Sequence, residues 1–597
     1  MRRLLFIVLC TICPSLVWAQ IDVVSFSQKG GFYEEPFFLT LQCSEGNHIR
    51  YTTNGNIPDA TSALYDDPLL LDKSLYSKSS IYSIVNCIPS TFFLPDHVQQ
   101  AIVIRAAVFN SQEVCISPVA TNSYFIRALG CNFHGLPVTS IVTDSLSLFD
   151  YETGIFIPGI HYDPSDSTHT GNYYQTGKDW ERSINLEFYE PNNDGINQPC
   201  GLRTHGGASR WFQQKGLKVY AREEYGKKRF VHRFFEMTPV SSFKRLDFHP
   251  FQCSLFLQTG GQDHLSQTIA KNLNFESLAV RQTVVFINGE YWGIYTLEES
   301  PDERYLEDHY DVDLDEVNII KYWGVTQHGD GSDWWSYRTW IDNASLNQPE
   351  DSAKAFSRID VESFIDYILF ETYSANIDWP QNNALHWQPK TGDEFRWIFF
   401  DGDACFTNSQ FDATIQLLNG GSCFLFNKLI ENHHFQNAFF ERYLELKETY
   451  FHPDTLKRLL NDYRQIVDGE IISQSERFNF PADRNRWLED MEKVNEFIDS
   501  RPAYFKEELF SHIYFEDPKI ATFYCSPNPS PGSLYIRLLS HANYTTYFEI
   551  YNILGHRLLT KDIFIIEGEN SIPVQVNLKP GLYLIKLDQI TTRIVIY

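Results

Sequence analysis

Short alternating runs of hydrophobic and polar residues occupy residues 21–126, and turn residues such as Asn54-Gly55 separate them. Runs of this length with a two-residue period indicate strands, which we place at residues 37–41, 48–52 and 102–109. The pattern predicts a small antiparallel β-sandwich at this end of the chain.

The last eighty residues of the chain show the same two-residue period. It indicates strands at residues 534–538, 546–551 and 574–578, with a turn at residues 552–555. Pro580-Gly581 then forms a turn that leads into a last strand. A second small β-sandwich is therefore predicted here.

Between these flanks, residues 130–515 carry strand patterns first and helical patterns later, which predicts an α+β domain. Residues 361–373 place their apolar side chains on one helical stripe, and Asp360 precedes them as an N-cap. Residues 424–512 repeat apolar side chains at helical intervals. We expect them to form a helical lobe that covers the sheet.

The first residues of the chain have the pattern of a secretory signal: Arg2 and Arg3, an apolar run over residues 4–17, and a small residue at Ala19. The apolar run is shorter than the ~20 residues of a spanning helix, which favours a signal peptide over residues 1–19 rather than a membrane anchor. No later stretch is long and apolar enough to span a membrane.

Charge and cysteine content narrow the possible partners. A chain of 597 residues is too long to fold around a single hydrophobic core, so we expect several domains. Its net charge of −27 argues against binding to nucleic acid or to an anionic membrane. After removal of the signal, nine cysteines remain, which is an odd number, and none has the spacing of a zinc knuckle. Disulfides among Cys43, Cys87 and Cys115 are open possibilities.

A candidate catalytic constellation follows the predicted helix at residues 361–373. Asp378 and Asn383 lie five residues apart in a loop, and a hairpin of strands 384–388 and 396–400 leads to Asp401 and Asp403. Protein kinases assemble their phosphoryl-transfer site in this order. An Asp on the first loop can accept the proton of a hydroxyl, while the Asn and an Asp after the hairpin can share Mg²⁺.

An upstream hairpin can supply the positive charge that phosphates need. Residues 201–210 form a predicted strand and a small-residue turn, and residues 215–220 form the next strand. The backbone amides from Gly206 to Ser209 can approach phosphates, and a lysine on the following strand can neutralise them.

These segments resemble successive motifs of the CotH kinase family, in family order over residues 135–410. The resemblance implies a divergent protein-kinase-like fold that transfers phosphate from ATP to protein hydroxyls. Its motifs here are Arg203-x-His205-Gly206-Gly207-x-Ser209-Arg210, Asn288-Gly289-Glu290-Tyr291-Trp292-Gly293-Ile294-Tyr295, Asn376-x-Asp378-Trp379 and Phe400-Asp401-x-Asp403.

The resemblance implies a role for each matching residue. Lys215 and Lys218 both remain candidates for the phosphate-contacting lysine, and Glu299 for its acidic partner. Two departures from the family are Gly216, where Ser is usual, and Glu298, where Arg is common. The implied sets are Asp378, Lys215, Lys218 and Glu299 for catalysis, Gly206, Gly207, Ser209 and Arg210 for ATP, and Asp401, Asn383 and Asp403 for Mg²⁺.

The flanks resemble two further families. Residues 49–58 resemble the chitobiase C-terminal-like domain, with Asn54 in place of its usual Asp, and Pro527-Asn528-Pro529 opens a block that resembles the type A sorting domain of type IX secretion. This implies a Bacteroidetes host and a secreted or outer-membrane surface protein whose tail is cleaved. The predicted domains are residues 1–19, 20–128, 129–515 and 518–597.

Three functions are compatible with these features. The first is a secreted phosphotransferase that uses Mg-ATP to modify Ser or Thr of a secreted or envelope protein. The second is a catalytically silent kinase-fold protein used for surface adhesion. The third is a carbohydrate-binding or glycoside-acting surface protein, which requires two carboxylates at a fixed separation.

Overall fold

A computed structural model describes residues 22–597, except residues 79, 132, 255, 420–422, 514–519, 541–542, 567 and 588–589. The predicted signal peptide, residues 1–19, lies outside these described residues, as does the predicted junction between the central and C-terminal domains. Among the described helices, none combines the length and the apolar character that crossing a membrane requires.

The N-terminal module is the predicted β domain. Its main sheet has the strand order β2-β9-β8-β5-β6, in which β2 and β9 are parallel and the other neighbours are antiparallel. The predicted strand at residues 37–41 is divided between β3 and β4, which pair with different strands. The nine strands are β1 Ser25–Phe26, β2 Gly31–Tyr33, β3 Phe38–Leu39, β4 Leu41–Gln42, β5 His48–Thr52, β6 Ala63–Leu64, β7 Leu69–Leu70, β8 Ile102–Phe109 and β9 Ala120–Ile126.

The central domain begins with a closed barrel of seven strands, in the order β10-β11-β12-β13-β16-β18-β17. The parallel pairing of β10 with β17 closes it. Its elements, with the separate pair β14-β15, are β10 Val138–Val142, α1 Ser145–Phe149, β11 Arg182–Tyr189, β12 Gly195–Thr204, β13 Leu217–Tyr220, β14 Phe230–Val231, β15 Ser242–Phe243, β16 Arg245–Pro250, α2 Gln262–Ala270, β17 Val280–Ile287 and β18 Glu290–Glu298.

The N-terminal module packs against this barrel through buried polar contacts. The Glu290 carboxylate accepts hydrogen bonds from the amides of Ile81 and Tyr82, at 2.9 and 2.8 Å. Glu187 of β11 accepts a hydrogen bond of 3.1 Å from the amide of Ser123 in β9. Both carboxylates are buried, so these contacts attach the module firmly to the barrel.

A second sheet, in the order β20-β19-β21-β22, follows the barrel. The predicted helix at residues 361–373 is confirmed, and the Asp360 side chain caps it by accepting a hydrogen bond of 3.0 Å from the amide of Ser363. The predicted hairpin is confirmed as β21 and β22. The elements are α3 Glu303–Tyr310, β19 Asn318–Lys321, β20 Val325–His328, α4 Ser332–Ile341, α5 Pro349–Phe356, α6 Val361–Tyr373, β21 Leu385–Gln388 and β22 Arg396–Ile398.

The predicted helical lobe is confirmed, and it shares one large apolar core with α6. Buried side chains such as Phe439 of α9 and Leu460 of α10 recur at helical intervals because one face of each helix packs on this core. Its helices are α7 Ala413–Asn419, α8 Phe424–Leu429, α9 His433–Lys447, α10 Pro453–Val467, α11 Ile471–Phe478 and α12 Arg484–His512.

The C-terminal domain packs a three-stranded sheet, β23-β24-β27, against a four-stranded sheet, β26-β25-β28-β29. The strand predicted at residues 574–578 is wrong at its end, because β27 stops at Gln575. The strand after Pro580 is not the last, since β29 pairs with it. The strands are β23 Ile520–Ser526, β24 Ser533–Ser540, β25 Tyr544–Asn552, β26 Arg557–Ile565, β27 Gly568–Gln575, β28 Gly581–Leu587 and β29 Ile590–Ile596.

The cysteines of the described residues are all free thiols. The disulfides considered among Cys43, Cys87 and Cys115 are therefore absent. Cys87 is buried and Cys115 is exposed, so these two thiols lie in different environments.

Candidate active site

The loop after α6 holds Asp378 through side-chain amides. Its carboxylate Oδ2 accepts hydrogen bonds from Asn382 Nδ2 at 3.0 Å and from Asn383 Nδ2 at 3.1 Å. Asn376 fixes the start of the loop, because it donates to Glu371 Oε2 at 2.8 Å and accepts from the Asp378 amide at 3.1 Å. Asp378 is exposed, so its carboxylate is oriented and also accessible to a substrate.

The acidic loop after β22 begins with Asp401 in the left-handed region, at φ 62°. Asp tolerates this conformation better than most residues, because its short polar side chain hydrogen-bonds locally. The amide of the next residue, Gly402, donates to Asp263 Oδ1 of α2 at 2.8 Å. This bond attaches the acidic loop to the N-terminal end of α2.

Carboxylates crowd together where the two loops meet. Burial raises the pKa of Asp401 from 3.8 to about 7, and the charges of Asp403, Asp263 and Asp378 add to the rise against an opposing effect of His249. Burial and the charge of Asp403 also raise the pKa of Asp378, although its two hydrogen bonds oppose them. The hairpin therefore does bring Asp378, Asp401 and Asp403 into one region.

Lys218 of β13 is linked to this region through Asp247 of β16. Its Nζ lies 3.1 Å from Asp247 Oδ2, and Asp247 also accepts a hydrogen bond of 2.8 Å from Ser300. Burial lowers the pKa of Lys218, but Asp247 outweighs it, so the pKa lies above its usual value. Asp247 pairs in register with Lys218 on one side and with Glu298 on the other, and Glu298 interacts electrostatically with Asp263 and Asp401.

Lys215 points elsewhere. Its Nζ donates to the backbone carbonyls of Arg210 and Phe212 at 2.9 and 3.0 Å, and it lies 4.2 Å from the centre of the Tyr173 ring. Burial lowers the pKa of Lys215 to about 7. Lys215 therefore stabilises the turn that precedes β13.

The predicted pairing of Glu299 with a lysine is wrong. Glu299 Oε1 lies 2.7 Å from His309 Nε2, and its Oε2 accepts a hydrogen bond of 2.9 Å from the Ala279 amide. Glu299 lies one residue beyond β18, and both of its carboxylate oxygens have a partner there. The acidic partner of Lys218 is Asp247 instead.

The predicted small-residue turn lies between β12 and β13. Gly206 and Gly207 are exposed, and Gly206 has φ 96°, which favours glycine. Ser209 is buried, and its hydroxyl donates to a backbone carbonyl of the same turn. Arg210 donates to the carbonyl of Tyr174 at 3.2 Å. The structure therefore leaves the two glycines open to solvent, while Ser209 and Arg210 contact protein atoms.

This arrangement can be compared with known proteins. The sequence profile of the CotH kinase protein family matches residues 202–505, which is half of the chain. The chain belongs to the CotH kinase family. The matched region contains both loops, both lysines and the barrel strands between them.

Two further profiles match the flanks of the CotH domain. The chitobiase and β-hexosaminidase C-terminal domain matches residues 28–81, and the secretion system C-terminal sorting domain matches residues 524–596. The order of the three matches is the predicted order. The sorting domain indicates type IX secretion, and thus a secreted or cell-surface protein.

Among solved structures, the Helicobacter pylori proinflammatory kinase CtkA is similar to this chain at 10% identity. The match covers 50% of this chain and 94% of CtkA, with a TM-score of 0.23. The golgi casein kinase matches at 11% identity over 53% of this chain and 70% of its own, with a TM-score of 0.19. No curated protein matches the sequence.

The CotH domain also contains charged residues that the sequence did not single out as site residues. Asp247 and His249 lie two residues apart on β16 and point to the same side, and alternation along a recognised strand is the signal that reveals such a pair. A third such residue is Asp263 on α2. A fourth is Lys321, whose Nζ lies 4.9 Å from the centre of the ring of Phe400, the residue that precedes Asp401.

Proposed function

We propose that the CotH domain is a phosphotransferase that uses Mg-ATP to phosphorylate hydroxyl groups of Ser or Thr in secreted or envelope proteins. The observation that carries the proposal is the convergence of Asp378 and Asp401, from loops on both sides of the hairpin. Lys218 is linked to them through Asp247 and Glu298. Family membership and the oriented Asp378 carboxylate support the same conclusion.

The donor set fits Mg²⁺, which binds oxygen ligands. Asp401 supplies a carboxylate whose pKa is raised by burial and also by nearby negative charge, and a bound cation would neutralise that charge. The Asn383 amide nitrogen donates to Asp378, which leaves the amide oxygen for a cation. We assign the nucleotide metal to Asp401 and Asn383. Asp403, the third residue predicted for Mg²⁺, is left out of this assignment because its carboxylate contacts His249. Mg-ATP, when bound, supplies the phosphoryl group and balances the charge of the leaving phosphates.

Asp378 is the residue that we assign as the proton acceptor. As the substrate oxygen forms its bond to the γ-phosphorus, the bond to the β,γ-bridging oxygen breaks, ADP leaves, and the hydroxyl proton passes to Asp378. The hydrogen bonds from Asn382 and Asn383 orient the carboxylate before the reaction, which reduces the cost of positioning it.

Lys218 and the glycine turn provide the positive groups in this proposal. Lys218 is 9% exposed and paired with Asp247, so its direction is fixed, and it can neutralise phosphate charge. The Gly206 and Gly207 amides are exposed beside its strand and can donate to phosphate oxygens. We do not assign a phosphate contact to Lys215, whose ammonium group already has two carbonyl partners.

Export completes the proposal. We infer that residues 1–19 direct the chain across the inner membrane of a Bacteroidetes-type cell, and that the type IX machinery recognises the sorting domain. The protein would then act on partners in the envelope or outside the cell, with the tail removed on export.

A catalytically silent surface protein is the second candidate, and one observation favours it. Glu299 contacts His309, and Lys218 contacts Asp247, so these two residues do not form the lysine–glutamate pair that active protein kinases use. Asp247 replaces that glutamate if the domain is active.

Nucleotide binding separates the two candidates. We expect Mg-ATP to raise the melting temperature of residues 20–597, the exported chain with its tail retained, because a ligand at 100 times its Kd stabilises the folded state by about 2.7 kcal/mol. Asp401→Asn should remove this stabilisation, whereas the exposed Asp67→Asn should retain it. No stabilisation at millimolar Mg-ATP would support the silent surface protein.

A further inference from the structure

Three side chains of types that bind metal ions lie near Asp401, and two of them offer nitrogen and sulfur rather than oxygen as donors. A ligand atom of His249, one of Cys253 and one of Asp403 lie within 4.8 Å of one another. His249 Nε2 and Asp403 Oδ2 are 2.7 Å apart. His249 is near the end of β16, Cys253 ends the single 3-10 turn that follows, and Asp403 comes from the acidic loop.

The chemistry of this group differs from that of the nucleotide site. It combines an imidazole nitrogen, a thiol sulfur and a carboxylate oxygen, whereas Asp401 and Asn383 offer oxygen alone. Zn²⁺ and similar cations prefer nitrogen and sulfur ligands, and Mg²⁺ prefers oxygen. Each of the three side chains is half-buried, so the group is sheltered from bulk water and still open to an entering ion.

Asp263 provides a second, independent observation. It is 3% exposed, and its Oδ2 is buried without a hydrogen-bond partner among the described residues. Its other oxygen binds the Gly402 amide of the loop that carries Asp403. A buried carboxylate oxygen without a partner is costly unless a proton or a cation satisfies it. Asp263 lies near enough to interact electrostatically with both His249 and Asp403, so this oxygen adds negative charge beside the three ligands.

We propose that His249, Cys253 and Asp403, with Asp263 beside them, form a binding site for a thiophilic divalent cation of the Zn²⁺ type. On binding, the Cys253 thiol releases its proton to water, and metal bonds replace the hydrogen bond between His249 and Asp403. The ion would join the end of β16 to the acidic loop. The site does not depend on the phosphotransferase proposal, because its ligands differ from those assigned to the nucleotide metal.

The sequence alone predicts no such site, because its ligands do not follow a short spacing. His249 and Cys253 are four residues apart, but Asp403 lies 154 residues beyond His249. Only the fold of the CotH domain brings the two segments together, so the absence of a zinc-knuckle spacing does not exclude this kind of site.

Cobalt absorption tests the proposal on the full exported chain without nucleotide. Co²⁺ in a site with a thiolate ligand gives a sulfur-to-metal charge-transfer band and strong visible bands when four ligands bind it. We expect both from the wild-type protein at one equivalent of Co²⁺, with loss of the bands on addition of Zn²⁺.

The variants identify the ligands. Cys253→Ser should remove the charge-transfer band, and His249→Gln should weaken Co²⁺ binding at least tenfold. Cys115→Ser, at an exposed free cysteine, should retain the wild-type spectrum. Far-UV circular dichroism checks that each variant folds.

A wild-type spectrum without the charge-transfer band, or one that Cys253→Ser leaves unchanged, would overturn the proposal. If the wild-type protein gives the cobalt spectrum but does not bind Mg-ATP, the phosphotransferase proposal is refuted and the metal-site proposal is not.

Discussion

Asn383 donates a hydrogen bond of 3.1 Å from its side-chain amide to the carboxylate of Asp378. Asn383 has φ 51° and is 3% exposed, so the loop backbone holds its amide in one direction. The neighbouring Asn382 donates to the same carboxylate oxygen from a more exposed position. The two asparagines thus share one contact and differ in the second role that we assign to Asn383.

This difference gives a matched pair of variants. Asn383→Ala should lower phosphate transfer by at least about 100-fold, because it removes both the orientation of Asp378 and a ligand of the nucleotide metal. Asn382→Ala should lower transfer less than about tenfold and leave Mg-ATP affinity unchanged, since it removes only a neutral hydrogen bond. Steady-state transfer and calorimetric titration measure the two effects. Equal losses in the two variants would refute the metal role of Asn383.

The two lysines should respond differently to removal. Lys218→Met combined with Asp247→Asn, which avoids leaving a buried charge unpaired, should weaken Mg-ATP binding at least tenfold, about 1.4 kcal/mol. Lys215→Met should leave affinity unchanged and lower the free energy of unfolding by about 1–3 kcal/mol, because two carbonyls lose their donor. The reverse pattern would show that Lys215, and not Lys218, contacts the phosphates.

Glu187 should make the stability of the module junction depend on pH. Burial raises its pKa from 4.5 to about 7, against hydrogen bonds from Ser123 and Tyr189 that favour the carboxylate. The folded protein therefore holds this proton more tightly than the unfolded chain, and the stability that it contributes is lost as pH rises from about 4.5 through 7.

Denaturant unfolding at several pH values measures this contribution. Glu187→Gln should make the dependence of unfolding free energy on pH less steep across this range, by up to about 1.4 kcal/mol per pH unit. Glu45→Gln, at an exposed position of the same module, should change nothing. An unchanged slope in Glu187→Gln would show that the junction does not retain this proton.

Packing explains why this chain has Gly216 where the CotH family usually has Ser, and this explanation can be tested. A Cβ atom at this position would lie 2.5 Å from the carbonyl oxygen of His205. We expect Gly216→Ala to lower the free energy of unfolding by about 1–3 kcal/mol through overpacking. Gly207→Ala is the control, since its Cβ would meet no atom within 4 Å. Equal melting temperatures for Gly216→Ala and the wild type would contradict this explanation.

The sequence predicted best what local pattern determines. Helix α6 follows from its apolar stripe and its Asp360 cap, and the loops with Asp378 and Asp401 follow from their positions around a hairpin. The choice between Lys215 and Lys218 depends on which side of β13 faces Asp247. That orientation depends on the register between β13 and β16, which no local pattern in the sequence records.

The features that the sequence missed depend on distant contacts. Glu299 pairs with His309 because α3 returns beside the end of β18, and His249 meets Asp403 across 154 residues. In each case a tertiary contact, rather than local propensity, decides the outcome.

Transfer of labelled phosphate from Mg-ATP to secreted proteins of the same cell tests the central claim most directly. We predict transfer by the wild-type exported chain and a loss of at least about 100-fold in Asp378→Asn, while that variant keeps its stabilisation by Mg-ATP. Transfer that persists in Asp378→Asn would contradict the assignment of the proton acceptor. A wild-type protein that binds Mg-ATP and transfers no phosphate would contradict the phosphotransferase itself.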